Sequence, residues 1–266
     1  MILLSSTFKY LVVMYNDKSN KSYPIAKLFP NLITLLGLCA GLTSIKFTFI
    51  GKWEFAVTFV IVAAIIDGMD GRIARFLKST SGFGAQLDSF ADFLNFGIAP
   101  AFLLYFWLLR QIKVIGWMLV MMFIICMSIR LARFNVSLYE ENKIDWHKFF
   151  FVGVPAPIGA ILSLIPTMLS FNNSNHWLIE NMLNKNVIAI YFMVIAFCLV
   201  SNIPTFSAKH CYIPRNLSYI FILFLGVFII LSITNPWITF PVSGLIYVLS
   251  IPCSSIFYMY ISYKKR

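Results

Sequence analysis

The sequence predicts an all-α integral membrane protein, a polytopic helical bundle of about eight transmembrane helices. Three observations lead there. Hydrophobic residues make up 60% of the 266 residues and charged residues 12%, with a mean hydropathy of +0.83. That is more apolar surface than the exterior of a soluble domain can carry. The apolar residues gather in runs long enough to cross a hydrocarbon core of about 30 Å, which takes roughly 20 residues of helix. The runs do not alternate polar with apolar, so a barrel of two-faced strands is a poor fit.

Residues 1–29 precede the first run. They lack a basic start, and their short apolar stretch is broken by Lys9, so they read as a surface-lying cytoplasmic, juxtamembrane segment and not as a cleaved leader. The runs themselves fall at residues 30–50, 53–76, 84–108, 112–133, 152–170, 187–204, 217–234 and 237–262. The first begins with Asn31 and Thr34 on one helical face. The second and third carry the acidic residues discussed below. The fourth ends near Arg130 and Arg133, three apart and so on a shared face. Pro155 and Pro157 are expected to kink the fifth. The last two form a C-terminal pair closed by the basic tail "YKKR", which suits anionic headgroups.

A net charge of +11 would suit a nucleic-acid partner, but its distribution argues for a membrane. With the N-terminus in the cytoplasm, the segments and helix ends on that side carry 16 of the 21 Lys and Arg. This is the positive-inside pattern, and it places both termini in the cytoplasm, most simply at a bacterial inner membrane. Four of the five cysteines lie inside apolar runs without metal-ligand spacing and read as packing residues. The three histidines are isolated and receive no role.

The chain has ten acidic residues, and four fall in the window "IIDGMDGRIARFLKSTSGFGAQLDSFADFLNFG", residues 65–97. Asp67, Asp70, Gly71, Ala74 and Arg75 share one face of the second helix; Gly84, Asp88 and Asp92 share one face of the third. The short connection "FLKSTSGF" makes the two helices antiparallel neighbours, so the carboxylates converge near the cytoplasmic surface. Four ionised carboxylates in a low-dielectric site need compensation that Arg75 alone does not supply. Hard divalent cations, Mg2+ or Mn2+, take all-oxygen ligands, and two shared among Asp67, Asp70, Asp88 and Asp92 would neutralise the set. They would leave positions open for phosphate oxygens. Gly68, Gly71 and Ala74 remove bulk beside the carboxylates, so a large ligand can lie against the backbone. Arg75 offers a planar donor fork suited to a diphosphate.

The stretch "DGMDGRIARFLKSTSGFGAQLDSFAD" resembles, without a gap, the signature D-x2-D-G-x2-A-R-x8-G-x3-D-x3-D of the CDP-alcohol phosphatidyltransferases. Every signature position is filled, by Asp67, Asp70, Gly71, Ala74, Arg75, Gly84, Asp88 and Asp92. The resemblance implies a metal-dependent helical membrane enzyme, possible as a homodimer, that cleaves a CDP-linked lipid and hands its phosphatidyl group to an alcohol. It further implies Asp67, Asp70 and Asp88 as metal ligands, Asp92 as general base near the second metal, and Gly71, Ala74, Arg75 and Gly84 at the CDP diphosphate. By the same resemblance residues 30–216 form the catalytic core of six helices, and residues 217–266 add the C-terminal pair.

Stretches outside the signature resemble the serine-accepting branch of that family: "PNLITLLGLCAGLTSI", "LNFGIAPA", "IRLARFNV", "FVGVPAPIGA" and "SNIPTFSAKH". The expected substrates are therefore CDP-diacylglycerol and L-serine, and the products phosphatidylserine and CMP. Arg130, Arg133 or Lys209 would hold the serine carboxylate or a lipid phosphate, or else act as positive-inside anchors snorkelling to headgroups. Asn31 and Thr34 would help bind nucleotide or diphosphate, with helix capping an equal role for Asn31. Glycerol 3-phosphate or an inositol phosphate are the alternative acceptors; both want a denser basic pocket than the sequence offers. A cation or proton transporter is the non-enzymatic alternative, and it would spread its carboxylates across membrane depth.

Overall fold

The computed structural model describes residues 29–77, 81–138, 150–171, 184–206 and 215–264. Helix α1 is Phe29–Ile50 and α2 is Trp53–Phe76. Along α1 the buried positions Thr34, Gly37, Gly41, Ser44 and Thr48 recur every three or four residues. This stripe of small side chains lets neighbouring helices approach closely, as membrane helices pack where hydrocarbon gives no hydrophobic drive. Ser44 Oγ then reaches across to donate to the Ala56 carbonyl at 2.8 Å. Gly51, at φ +77°, ends α1 in the left-handed conformation that glycine adopts freely. Phe47 stacks on Phe55 and Phe59, which fixes the far end of the hairpin.

The third rod begins as α3, Gly82–Asp92, passes through a π-helical turn at Phe93–Ile98, and continues as α4, Ala99–Trp107. Ser81 caps it by accepting from the Gly84 amide at 3.0 Å. The wide turn precedes Pro100, whose ring cannot donate to the preceding turn. After a 3-10 turn at Leu109–Ile112, α5 spans Val114–Leu138. Strand β1, Phe150–Val152, leads into α6, Ala156–Ser163, and α7, Ile165–Ser170. Helix α8, Lys185–Val200, is followed by β2, Pro204–Phe206, which pairs antiparallel with β1. Helices α9, Arg215–Thr234, and α10, Pro236–Lys264, close the described chain.

The eight expected rods are present in order among the described residues. Phe29–Ile50, Gly82–Trp107 and Val114–Ser137 are long and apolar enough to cross a membrane, and shorter apolar helices cover 156–170, 185–200, 218–234 and 236–252. The chain is thus a membrane-embedded helical protein. The core lies between α5, α6 and α8, where Phe123 stacks on Phe192 at 4.7 Å beside buried Met127, Leu162 and Leu199. Helix α9 packs chiefly on α10 and exposes Ile222, Leu223 and Phe224 by 63–69%, a surface suited to lipid.

Two details differ from the sequence expectation. Pro155 and Pro157 do not kink the fifth rod: Pro155 caps α6 and Pro157 sits in its first turn, where a missing N–H costs nothing. The break comes at Leu164, just before Pro166. The two-stranded ribbon is not foreseen either, because each strand is three residues beside a proline-containing turn. The surface-lying segment expected before residue 29, and the acidic loop "YEENKID", lie outside the described residues.

Gly153 joins the ribbon to α6 at φ +77°, and a Cβ there would stand 2.8 Å from the Ser201 carbonyl oxygen. Gly153→Ala should therefore cost about 1–3 kcal/mol and lower the melting temperature of the detergent-solubilised protein by about 3 °C or more. Gly226→Ala, inside α9 where the added Cβ would meet nothing within 4 Å, is the control expected to leave it unchanged or raise it by a few degrees.

Candidate active site

The α1–α2 hairpin and the start of α3 bring the acidic residues together. One carboxylate oxygen each from Asp67, Asp70 and Asp88 lie within 4.8 Å of one another. Asp67 and Asp70 project from the last turns of α2, and Asp88 from the middle of α3. Asp92, one turn further along α3, lies outside this triad but within hydrogen-bond reach of Asp67. All four aspartates line one narrow recess, closed by Thr34 and Gly37 of α1 and by Asn95.

Neighbouring polar groups orient the carboxylates. Thr34 is buried, and its hydroxyl donates to Asp70 Oδ2 at 2.9 Å, with the Pro30 carbonyl 3.1 Å away. Asn135 of α5 donates from Nδ2 to Ser89 Oγ at 2.9 Å, which ties the turn bearing Asp88 to the neighbouring helix. Arg130 of α5 attracts Asp92 and Asp67 electrostatically.

The donor set fits a hard divalent cation. It is all oxygen, it is compact, and oxygens on opposite sides of such an ion stand about 4–5 Å apart. Asn95 also lines the recess, and its Oδ1, packed against Gly41 of α1, has no hydrogen-bond partner among the described residues. Thus the aspartate triad can hold a metal ion.

The remaining sequence-expected residues fall into three groups. Gly68 and Gly71 face open space, where an added Cβ would meet nothing within 4 Å, so the backbone beside the carboxylates is accessible to a large ligand. Arg75 is exposed on the same stretch and donates from Nε to the Gly71 carbonyl at 3.0 Å; Ala74 is half-buried between them. Gly84 instead serves close packing, since a Cβ there would stand 2.8 Å from Asn31 Oδ1. Asn31 thereby meets the start of α3, and Thr34 meets Asp70, so the two α1 residues support the site from behind. Arg130 donates from Nε to the Val154 carbonyl, and Arg133 donates to the Val200 carbonyl and, at 2.8 Å, to Asn202 Oδ1. These arginines clamp to α5 the two segments that flank one end of the β-ribbon, where Val152 pairs with Pro204, a role that their spacing alone does not indicate. Lys209 lies outside the described residues.

Sequence reasoning passes over Ser89, Asn95 and Asn135. Asn95 carries a usable signal: it follows Asp88 by seven residues and Asp92 by three, on the same helical stripe. The Ser89–Asn135 pair spans 46 residues, and no local pattern reports it.

Comparison with known proteins gives the same picture across most of the chain. Residues 27–200 match the family model described as CDP-alcohol phosphatidyltransferase, and residues 216–252 match a second, CDP-alcohol phosphatidyltransferase 2. The CDP-diacylglycerol–serine O-phosphatidyltransferase of Mycobacterium leprae is 34% identical over 228 residues, covering 85% of this chain and 74% of the relative. The protein of that name from Helicobacter pylori strain 26695 is 34% identical over 182 residues, 68% of this chain and 73% of the relative. That from Methanocaldococcus jannaschii is 29% identical over 198 residues, 68% and 87% respectively.

Thr34→Val keeps the shape of the side chain and removes the hydroxyl that orients Asp70. Titration calorimetry with Mn2+ should show affinity about tenfold weaker, the usual scale for losing a group that orients a metal ligand. Thr34→Ser should restore it.

Proposed function

Because the chain belongs to the CDP-alcohol phosphatidyltransferase family, we propose that its aspartate site transfers the phosphatidyl group of CDP-diacylglycerol to the hydroxyl of L-serine. The products are phosphatidylserine and CMP. The observation that carries this reading is the convergence of Asp67, Asp70 and Asp88 within 4.8 Å beside a helix face left open at Gly68 and Gly71. A diphosphate needs both features, cations for its oxygens and backbone that it can approach.

Asp67, Asp70 and Asp88 would hold divalent cations, Mg2+ or Mn2+ and two per site, with Asp92 beside the second. When bound, the ions stabilise charge on the transferred phosphoryl group and on the departing CMP. Everything else is work for the chain's own residues. The open face at Gly68 and Gly71 admits the nucleotide, and Arg75 at its edge binds the diphosphate. Thr34 holds Asp70 in place from behind. Asp92 accepts the proton of the serine hydroxyl as its oxygen attacks phosphorus and the bond to CMP breaks. Arg130, tied to the Val154 carbonyl and drawn toward Asp92, would meet the serine carboxylate. Holding serine and lipid diphosphate at near-attack distance supplies much of the rate advantage over solution.

The membrane setting belongs to the same reading. The acyl chains stay in lipid while the cytidine occupies a cytoplasmic cavity, with the bundle in a bacterial inner membrane and both termini in the cytoplasm. Residues 30–216 act as the catalytic core, and residues 217–266 as an added helix pair.

The purified protein, given CDP-diacylglycerol and each candidate alcohol separately, should form phosphatidylserine from serine as the dominant lipid product. Phosphatidylglycerol phosphate or an inositol phospholipid in its place would refute serine as acceptor. Asp92→Asn should lower turnover by about a hundredfold or more without unfolding the protein, the range for a general base. Near-normal turnover of that variant in excess Mn2+ would remove the assigned base. EDTA should stop turnover, and added Mn2+ should restore it.

A further inference from the structure

Helix α3 carries two of the four aspartates, so its rotation about its own axis decides where they point. On one flank it packs on α1, where a Cβ on Gly84 would stand 2.8 Å from Asn31 Oδ1. On the other flank the contact is Ser89. Its hydroxyl donates to the Ala85 carbonyl at 2.9 Å and accepts from Asn135 Nδ2 of α5, also at 2.9 Å, with Asn135 Oδ1 3.3 Å away. At about 100° per residue, Gly84 stands about 40° to one side of Asp88, with Asp92 about 40° and Ser89 about 100° to the other. Both aspartates therefore fall between the two points at which α3 is held.

Rotation is what the charges favour. Asp88 brings an oxygen within 4.8 Å of those of Asp67 and Asp70, and rolling α3 away relieves that repulsion. Immediately after Asp92 the rod leaves α-helical pitch at Phe93–Ile98, the kind of turn at which helices change direction. The angle of α3 thus depends on its side contacts as well as on α4. Contact along one line leaves a helix able to roll, and a second contact about 140° further round removes that freedom. The lever is long: a carboxylate stands about 5 Å from its helix axis, so a roll of about 10° moves it by about 1 Å. Misplacement on that scale costs a reacting geometry about a hundredfold. Asn135 also shares α5 with Arg130, whose charge attracts Asp92. One helix thereby sets both the cation and the angle of the carboxylate that faces it.

We propose that Asn135 is a positioning residue of the carboxylate centre: by holding Ser89 it fixes the rotation of α3 and so aims Asp88 at the metal and Asp92 at the acceptor hydroxyl. This rests on the metal and base reading above and adds the group that sets their angle. Asn135 touches neither substrate nor ion, and its effect passes through Ser89 alone.

The test is a double-mutant cycle on the purified full-length protein in detergent, with wild type, Ser89→Ala, Asn135→Leu, the double variant, Ser89→Thr and Asp70→Asn. Mn2+ affinity is read by electron paramagnetic resonance without lipid substrate, and kcat at saturating Mn2+ with whichever alcohol the wild type accepts. Each single variant should weaken Mn2+ binding by about tenfold and lower kcat by about tenfold or more. The double variant should be no worse than either single one, because both remove the same bond. Ser89→Thr keeps the hydroxyl and should stay near wild type. The metal-free melting temperature should fall by about 4 °C or less in the single variants, the scale of one hydrogen bond. If Asn135→Leu does not give monodisperse protein, Ser89→Ala against Ser89→Thr decides. Affinity and kcat within twofold of wild type in both single variants, with Mn2+ binding lost in Asp70→Asn, overturn this proposal and leave the metal reading standing. Losses that multiply in the double variant also overturn it, by making the two residues independent. So does a fall in melting temperature large enough to account for the lost activity. Absence of saturable Mn2+ binding in wild type overturns the metal reading and this proposal with it.

Discussion

Mutual repulsion of carboxylates is the constraint around which this bundle is organised. Two ionised carboxylates about 5 Å apart repel by about 3 kcal/mol even at an effective dielectric constant of 20, and three here bring oxygens within 4.8 Å with a fourth alongside. Helices that carry such groups would separate if little else joined them. The small-residue stripe of α1 counters this by letting α1 pack closely on α2, at Ile66 and through Ser44, and on the third rod at Gly41. Ser89 and Asn135 anchor α3 to α5 at the turn where Asp88 projects. The scaffold is fixed on both sides of the charges, so a cation would meet a site already assembled and need not organise it.

The arginines of α5 show how one side chain serves both scaffold and site. A guanidinium carries five donors in a rigid fork, so satisfying one backbone carbonyl leaves others to act. Arg130 uses Nε on the Val154 carbonyl and keeps its charge near Asp92. Arg133 spends two donors on the segment before β2. Arg133 is consequently the more structural of the two, although the sequence presents them as a matched pair. Lysine at either position would supply the charge without the fork.

The rods and the carboxylate stripes are legible in the sequence because both depend on local periodicity. Apolar runs report helices, and i, i+3, i+4 spacing reports which residues share a face. Contacts between distant segments are not legible. The clamp of Arg133 on Val200 spans 67 residues, and the ribbon pairs Phe150 with Phe206 across α6, α7 and α8. The π-helical turn is hidden for a different reason: its residues, "FLNFGI", have no composition that separates them from an ordinary helix. The sequence points to Thr34 as part of the site but suggests the ligand as its partner. That partner is Asp70, 36 residues away, and only the folded hairpin brings the two together.

The glycines make the same point about what sequence leaves undecided, and they divide by what fills the space beside them. Gly37 and Gly41 of α1 are occupied, one by the Ile66 side chain and the other by the Asn95 amide, so their missing side chains are accounted for within the chain. A Cβ added at Gly68 or Gly71 of α2 would meet nothing within 4 Å among the described residues. Each weakens its helix by about 1 kcal/mol relative to alanine, and no contact inside the protein offsets that. A helix tolerates such a loss where something other than the protein takes up the room. The open pair lies on the turn that bears Asp67 and Asp70, the occupied pair behind it. The recess is accordingly closed toward α1 and accessible at the last turns of α2. A large phosphate ligand would come from that side.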